Sequence, residues 1–392
     1  MSTSVIVAGA RTPIGKLSGA LASLTATDLG GHAIAAAIQR SGLDVDGIDA
    51  VVMGTVVQAG VGPNPARQAA VAAGLPMTVP ATTVNNLCLS GLEAIMQADR
   101  LIATGAADVV VAGGMESMTN APYVVRGARQ GLKYGSTGFE DTLDRDALTC
   151  AFDGISMGAS TERYQASEDI SRAEQDEFAA RSHRLAAAAT ESGTFAAEIA
   201  PVEIASRKGS VTVAADEGIR AGTTVESLGK LRPAFAKEGT ITAGAASQLS
   251  DGAAAVVVMR KDLAEARGIE WLAEIRSHAL VAGPDTSLLH QPANAIEAAL
   301  KRDDETTLDD LALVEINEAF AGVAIASIRQ LGLDADKVNI HGGAIAVGHP
   351  VGMSGARIAL SLAHSLKTAG GGKGAAALCG GGGQGIAMIL SV

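Results

Sequence analysis

Three short strand-like runs, each with a characteristic loop or small-residue pair after it, occur in the first third of this chain and recur in outline, in the same order, in the last third. Residues 49–53 lead into a Gly/Pro loop, and residues 311–316 lead into Asn317. Residues 82–84 precede Ser90-Gly91, and residues 337–340 precede Ser354-Gly355. Residues 109–112 close on Gly113-Gly114, and residues 375–379 close on Gly380-Gly381. Repetition on this scale predicts two similar halves. Each run reads as a short strand. Residues 5–8 read as a further strand, and helical stretches at 28–40, 66–73 and 90–102 fill the gaps. Strands alternating with helices predict a mostly parallel sheet covered on both faces.

The alternation lapses from residue 117 to about 250. Charges, glycines and irregular turns increase there, and residues 172–192 are the one long helical stretch. Residues 119–250 are read as an inserted loop domain. The first half, residues 1–118, is then completed by residues 251–268, where the apolar run 253–259 returns, and residues 269–392 form the second half. A chain of 392 residues is too long for one simple core. Hydrophobic residues make up 47% but aromatic ones only 3%, with 47 glycines. That mixture suits close helix-on-sheet packing by Ala, Val, Leu and Gly.

The net charge of −12 argues against nucleic-acid and membrane-surface partners. An anionic substrate would need a local basic patch. Residues 207–237 offer one: Arg207, Lys208, Arg220, Lys230, Arg232 and Lys237 against Asp216, Glu217 and Glu226. On charge alone this is an anion clamp or a solvated loop. Three scattered cysteines fit neither a disulfide framework nor a zinc site, and point to a reducing cytoplasm. The N-terminal apolar run has no basic leader and reads as a strand. No apolar run approaches the ~20 residues of a membrane helix.

The chemistry gathers in three segments. Cys88 lies in Asn85-Asn86-Leu87-Cys88-Leu89-Ser90-Gly91, directly before a helix start. Free N–H groups and the helix dipole there favour a nucleophilic thiolate; a small inert buried thiol is the ordinary alternative. His349 stands between Gly348 and Pro350. Held so, it can take a thiol's proton and later stabilise an oxyanion; capping a turn is its bland role. His32, His183, His278, His290, His341 and His364 lack such a frame and read as bystanders. Cys379 ends an apolar strand and opens the glycine run through Gly385. Bare N–H groups beside a thiol suit an oxyanion hole. A flexible linker and a phosphate cradle are the alternatives, the second lacking its Lys-Ser/Thr ending. Cys150 has no comparable context and reads as packing. Asn317 can cap the following helix or hold a water at the site. Cys88 falls in one half, His349 and Cys379 in the other, so their meeting place is predicted between the halves.

Taken together these segments resemble the thiolase family, in its biosynthetic branch, along essentially the whole chain. The resemblance is carried by Arg11-Thr12-Pro13, Asn64-Pro65-Ala66-Arg67-Gln68, the Cys88 segment, Gly113-Gly114-Met115-Glu116-Ser117-Met118 and Thr242-Ala243-Gly244. It continues through Ser250-Asp251-Gly252-Ala253-Ala254, Asn317-Glu318-Ala319-Phe320-Ala321, and the His349 and Cys379 segments. It implies the thiolase fold: an α/β protein of two pseudo-symmetric βαβαβαββ halves in a five-layered α-β-α-β-α core, with an inserted loop domain. It implies acetyl-CoA C-acetyltransferase chemistry, with acetyl-CoA, acetoacetyl-CoA and CoA as partners and no cofactor. Cys88 would be acylated, His349 would draw off its proton, and Cys379 would deprotonate the second acetyl-CoA. His349 and a water on Asn317 would hold the enolate; the N–H groups of Cys88 and Gly381 would hold the tetrahedral oxyanion. Arg220 and Ser247 would contact CoA, while Met157 and Phe320 would line the acyl pocket. Relatives are dimers or tetramers, and residues 122–139 resemble the loop that joins dimers.

Two residues depart from the short-chain pattern of the family. Ser156 stands where many members have histidine, and Ala245 where many have asparagine, both near the expected substrate channel. They keep a broader-range 3-ketoacyl-CoA thiolase open. A decarboxylating ketoacyl synthase typically has one cysteine and two histidines. A silent acyl-CoA-binding relative would not need all of Cys88, His349, Cys379 and Asn317. A nucleotide-binding redox protein rests on the glycines alone.

Overall fold

The structure, a computed structural model, describes residues 3–206 and 209–392. The first half runs β1 (Ser4–Arg11), α1 (Ala26–Ser41), β2 (Ala50–Gly54), α2 (Pro65–Ala72), β3 (Ala81–Val84), α3 (Ser90–Ala103) and β4 (Val109–Ser117). Helices α4 (Met157–Gln165) and α5 (Arg172–Glu191) follow, before β5 (Ser250–Arg260) returns to the sheet. The second half runs β6 (Ala273–Ala282), α6 (Gln291–Leu300), β7 (Leu311–Ile316), α7 (Ala321–Leu331) and the one-turn α8 (Ala344–Val347). It ends with α9 (Ser354–Thr368), β8 (Lys373–Gly380) and β9 (Gln384–Ser391). Local chemistry sets the helix starts. Thr25 and Asp28 form a capping box on α1, and the Asn64 side chain caps α2 ahead of Pro65.

The strands pair in the order β3-β2-β4-β5-β1 and, in the second half, β7-β8-β9-β6. A short antiparallel contact of Val5 and Ile6 with Glu274 and Ala273 joins the two. The expectation of a mostly parallel sheet is wrong. Only β2–β3, β2–β4 and β7–β8 are parallel; β1–β5, β4–β5, β6–β9 and β8–β9 are antiparallel. The β8–β9 link, residues 381–383, shows why: parallel partners need a crossover of a dozen residues, and a turn this short makes a hairpin.

The strand expected at 337–340 is also absent. Val338 makes a single parallel bridge to Val314, and Asn339 turns to φ 49°. The Asn339 side chain then supplies what a strand would have given. Its Oδ1 accepts from Ile316 N at 2.8 Å and its Nδ2 donates to Ile316 O at 2.8 Å.

Side-chain alternation sorts the apolar residues flanking the long strands into three clusters. Val110 and Val256 point inward with Leu378 and Met388 of the other half, and α3 and α9 fill the space between them through Leu92, Ile95, Met96, Ile358 and Leu362. Val111 and Val257 face the other way, onto Leu29, Ile34 and Ile38 of α1. Ile389 and Ile316 face Ile296 of α6 and Ala324 of α7. The result is the α-β-α-β-α layering implied by the family resemblance. Each of the larger side chains contributes about 1.5–3 kcal/mol by burial.

The central pair of helices touches backbone to backbone. A Cβ on Gly91 would lie 2.8 Å from Ala356 N, and one on Gly355 would lie 2.4 Å from Leu92 N. Both glycines sit in the first turn of their helices, so the contact brings the two helix starts together. Gly355→Ala should therefore force α9 off α3 and destabilise the protein by about 2–3 kcal/mol, in the range of overpacked cores. The measurement is thermal denaturation, with Gly47→Ala as control; a Cβ at Gly47 meets nothing within 4 Å. Equal melting temperatures for the two variants would contradict the close packing.

Candidate active site

The turn before α3 aims Cys88. Leu87 is held at φ 51°, a strained value for leucine. Its N–H donates to Asn85 Oδ1 at 3.1 Å, and its carbonyl accepts from Ser90 Oγ at 2.6 Å. Ser90 Oγ also accepts from Asn86 N at 2.8 Å. The Cys88 sulfur is then faced by its own backbone N–H and by that of Gly381.

The thiolate-favouring environment expected from the helix start does not prevail. Burial pushes the Cys88 thiol up to about 12, and the charge of Glu116 adds to the rise. The two N–H groups pull the other way without winning. Leu87, Met118, Val351 and Leu249 surround the thiol with apolar surface, and desolvation of the charged form dominates.

His349 follows Gly348, at φ 111°, and is fixed through both sides of its ring. Nδ1 lies 2.6 Å from Ser354 Oγ, and Ser354 Oγ lies 3.0 Å from Pro350 O. A carbonyl only accepts, so the Ser354 hydroxyl donates to Pro350 and the Nδ1–H donates to Ser354. This chain assigns the tautomer and leaves Nε2 as the accepting nitrogen. Nε2 faces Asn317 Nδ2 at 3.4 Å. Burial, helped by the charge of Arg357, lowers the His349 pKa to about 3, so the imidazole is neutral at rest.

Asn317 does not cap a helix. Helix α7 begins at Ala321 with Phe320 as its cap residue. Asn317 instead continues the β7–β8 ladder, its N–H donating to Ala377 O at 2.9 Å. Its Oδ1 is buried and has no hydrogen-bond partner among the described residues. Cys379 is the penultimate residue of β8, paired with Gly385 across the hairpin. Burial pushes its thiol well above the ordinary range, and the neighbouring Cys88 adds to the rise. The glycines after it are tightly packed. A Cβ on Gly380 would stand 2.6 Å from Leu89, and one on Gly381 2.4 Å from Met157 Cε. A flexible linker does not fit that crowding.

Cys88, His349, Cys379 and Gly381 line one cavity of about 560 Å³, together with Met157, Phe320, Ser247 and Arg220. Asn317 stands behind it, in contact with His349. Ser156 also lines the cavity while capping α4 through Ala159 N at 3.1 Å. Ala245 does not; it is fully buried among Ala179, Leu228, Ala321 and Ile345, one layer back. Cys150 is buried in packing. Of the described basic residues of 207–237, Arg220 alone lines the cavity. Lys230 pairs with Glu226 at the surface, and Arg232 and Lys237 are exposed elsewhere. Asp216 is taken up by Arg11 at 2.7 Å, and Arg207 and Lys208 lie outside the described residues.

Several residues that hold the site were not read from the sequence. Glu318 accepts from Ser182 Oγ at 2.6 Å, Asn339 Nδ2 at 2.9 Å and Ile345 N at 3.1 Å. It ties the end of β7 to α5 and α8. Glu116 accepts from Val56 N at 2.8 Å and Gly352 N at 3.0 Å, tying the His349 turn to the first half. Burial raises its pKa to about 7. The available signal was a lone carboxylate beside small or apolar neighbours, as in Met115-Glu116-Ser117. His183, taken as a bystander, accepts the backbone N–H of Arg220 at 3.2 Å. Among the described residues no group of three or more His, Cys, Asp or Glu is arranged to hold a metal ion. No helix there is long and apolar enough to cross a membrane.

Residues 4–262 match the family model described as Thiolase, N-terminal domain, and residues 269–392 match Thiolase, C-terminal domain. A protein of Mycolicibacterium smegmatis named probable acetyl-CoA acetyltransferase is 55% identical over 387 residues, covering 98% of this chain and 100% of that one. A Mycobacterium leprae protein of the same name is 56% identical over 391 residues, covering 100% and 99%. The crystal structure of the Bacillus anthracis acetyl-CoA acetyltransferase aligns with a TM-score of 0.96 at 41% identity, covering 100% of this chain and 99% of that one.

A resting thiol raised to about 12 makes its own prediction. Alkylation of Cys88 by iodoacetamide should climb about tenfold per pH unit from pH 7 to 10 without levelling, because only the thiolate reacts. Mass spectrometry of the labelled peptide gives the rate, and a plateau below pH 9 would reveal a thiolate already present at rest.

Proposed function

Because the chain belongs to the thiolase family, we propose that it is an acetyl-CoA acetyltransferase: it condenses two acetyl-CoA to acetoacetyl-CoA and CoA, and runs the reverse thiolysis. The observation that carries the reading is the convergence of two thiols and a neutral imidazole on one cavity, with the buried Asn317 amide behind the imidazole. Relatives of that name at 55% and 56% identity over the full length support it.

In the first half-reaction Cys88 Sγ attacks the thioester carbonyl as its proton passes to His349 Nε2. Desolvation disfavours either charged form alone, so thiolate and imidazolium arise together. The N–H groups of Cys88 and Gly381 receive the oxyanion. The departing CoA sulfur needs a proton, and Cys379 supplies it. That leaves a Cys379 thiolate beside the His349 imidazolium, the only pairing that readies both for the next step.

The raised basicity of Cys379 suits it to take a proton from the methyl group of a second acetyl-CoA. The enolate oxygen is held by the His349 imidazolium and by a water on Asn317, whose Oδ1 is free to accept from it. The enolate carbon attacks the acetyl-Cys88 carbonyl, the Cys88 sulfur leaves, and His349 returns its proton. All three groups end as they began, so the cycle requires acid–base and covalent chemistry and no cofactor. Arg220 and Ser247 contact the CoA portion, and Met157 and Phe320 bound the acyl group. The protein acts in the cytoplasm as a homo-oligomer, a dimer or tetramer. Tyr123, Leu132 and Phe139, 64%, 58% and 73% exposed in the loop expected to join dimers, are suited to such a contact.

A broader-range 3-ketoacyl-CoA thiolase is the second reading, favoured by the small Ser156 on the cavity wall. Thiolysis of 3-ketoacyl-CoAs of graded chain length separates the two: activity falling steeply beyond four carbons supports the first, and sustained activity the second. Cys88→Ala should form no acyl-enzyme from radiolabelled acetyl-CoA. Cys379→Ala should still acylate Cys88 but lose condensation by about 10²–10⁴-fold, the usual scale for a general base. Label on another residue, or full condensation by the Cys379 variant, would refute the roles given.

A further inference from the structure

Helix α8 is one turn long and stops at Gly348, so its last carbonyls have no helical N–H to accept from. Gln248 fills that role. Its Nε2 donates toward Ile345 O at 3.0 Å and Ala346 O at 3.1 Å. The same nitrogen lies 3.1 Å from Gly218 O, two residues before Arg220. Two hydrogens serve three carbonyls, so one bond is shared.

The other polar atoms of Gln248 point the same way. Its backbone carbonyl accepts from His349 N at 3.1 Å and from Ser250 Oγ at 2.8 Å. Its Oε1 faces Arg220 Nη2 at 3.4 Å. The junction has no slack, since a Cβ on Gly218 would lie 2.6 Å from Ala346 O and 2.9 Å from Gln248 Nε2. One residue thus clips the Arg220 segment, α8 and the His349 turn together while lining the cavity itself.

We infer that Gln248 is a positioning residue that makes Arg220 and His349 one unit, so that the phosphate-bearing end of a CoA thioester held by Arg220 sets its reacting end in register with the imidazole. The inference rests on the acyl-CoA reading of this cavity. A glutamine that only stabilised the fold would serve every thioester donor alike. A clip between anion contact and imidazole matters most for a donor that has the anionic end.

The test compares acetyl-CoA with acetyl-pantetheine, which has the same thioester and no phosphates. Gln248→Met keeps the bulk and the backbone carbonyl bonded to His349 N but removes the side-chain hydrogen bonds that tie in Arg220, Gly218 and α8; Gln248→Glu keeps an acceptor for Arg220 and removes the side-chain donors. For both variants kcat/KM with acetyl-CoA should fall about tenfold further than with acetyl-pantetheine, the scale of lost buried hydrogen bonds. In an Arg220→Ala background the difference should vanish. Melting temperatures show whether each variant is folded. Equal losses on the two donors, or no loss on either, would overturn the inference while leaving the acyltransferase reading standing. No turnover of either donor by the unmodified protein would instead remove that reading, and this inference with it.

Discussion

Gly91 and Gly355 let α3 and α9 meet backbone to backbone at their first turns, and the arrangement of the site follows from that contact. Cys88 precedes one helix and His349 the other. Because the two halves repeat each other, the contact relates equivalent helix starts and places one functional turn from each half on a common cavity. Other glycines extend the principle. A Cβ on Gly114 would lie 1.9 Å from Gly352 O, so β4 passes directly against the His349 turn. Aromatic side chains would hold these layers apart, which gives a physical reason for the low aromatic share of the sequence.

Packing this close surrounds the reacting groups with protein, and desolvation then governs their electrostatics. It raises both thiols and lowers the imidazole, so Cys88, Cys379 and His349 are all neutral at rest. Carboxylates buried in the same region meet the penalty with backbone donors, as Glu116 does with Val56, Val57 and Gly352. Arg11 is treated similarly, set between Glu198 at 2.8 Å and Asp216 at 2.7 Å, and Ser361 of α9 also donates to Glu198. Such a network is weak evidence for added stability, because desolvation offsets much of the attraction. Its effect here is geometric: it fastens the end of β1 and the inserted segment to the central helix.

Much of this was legible in the sequence because it depends on local chemistry. The strand runs, the Asn64-Pro65 helix start and the tight turns at Cys88 and His349 are written in neighbouring residues. The joint placement of Cys88, His349 and Cys379 was legible through the internal repeat. Strand direction was not, since it depends on whether a connection crosses over or turns back, and the glycines at 381–383 could have belonged to either. Asn339 was misread because a side chain took the place of a strand's backbone. The thiolate expectation failed at a different level. A helix start is visible in sequence, but the apolar residues that desolvate Cys88 come from distant positions such as Met118, Leu249 and Val351.

The neutral resting site and the dense packing serve the same end under the proposed reaction. A preformed thiolate would be exposed to any electrophile that entered the cavity. A thiol at about 12 beside an imidazole at about 3 reacts slowly with a chance electrophile at neutral pH, and readily when a thioester carbonyl absorbs the negative charge as the proton moves. Positioning must then replace reactivity, because a concerted transfer tolerates little error in distance. Hence the ring of His349 is fixed through Ser354 and Asn317, its backbone through Gln248, and its turn through Glu116. The structure spends few residues on chemistry and many on holding three side chains still.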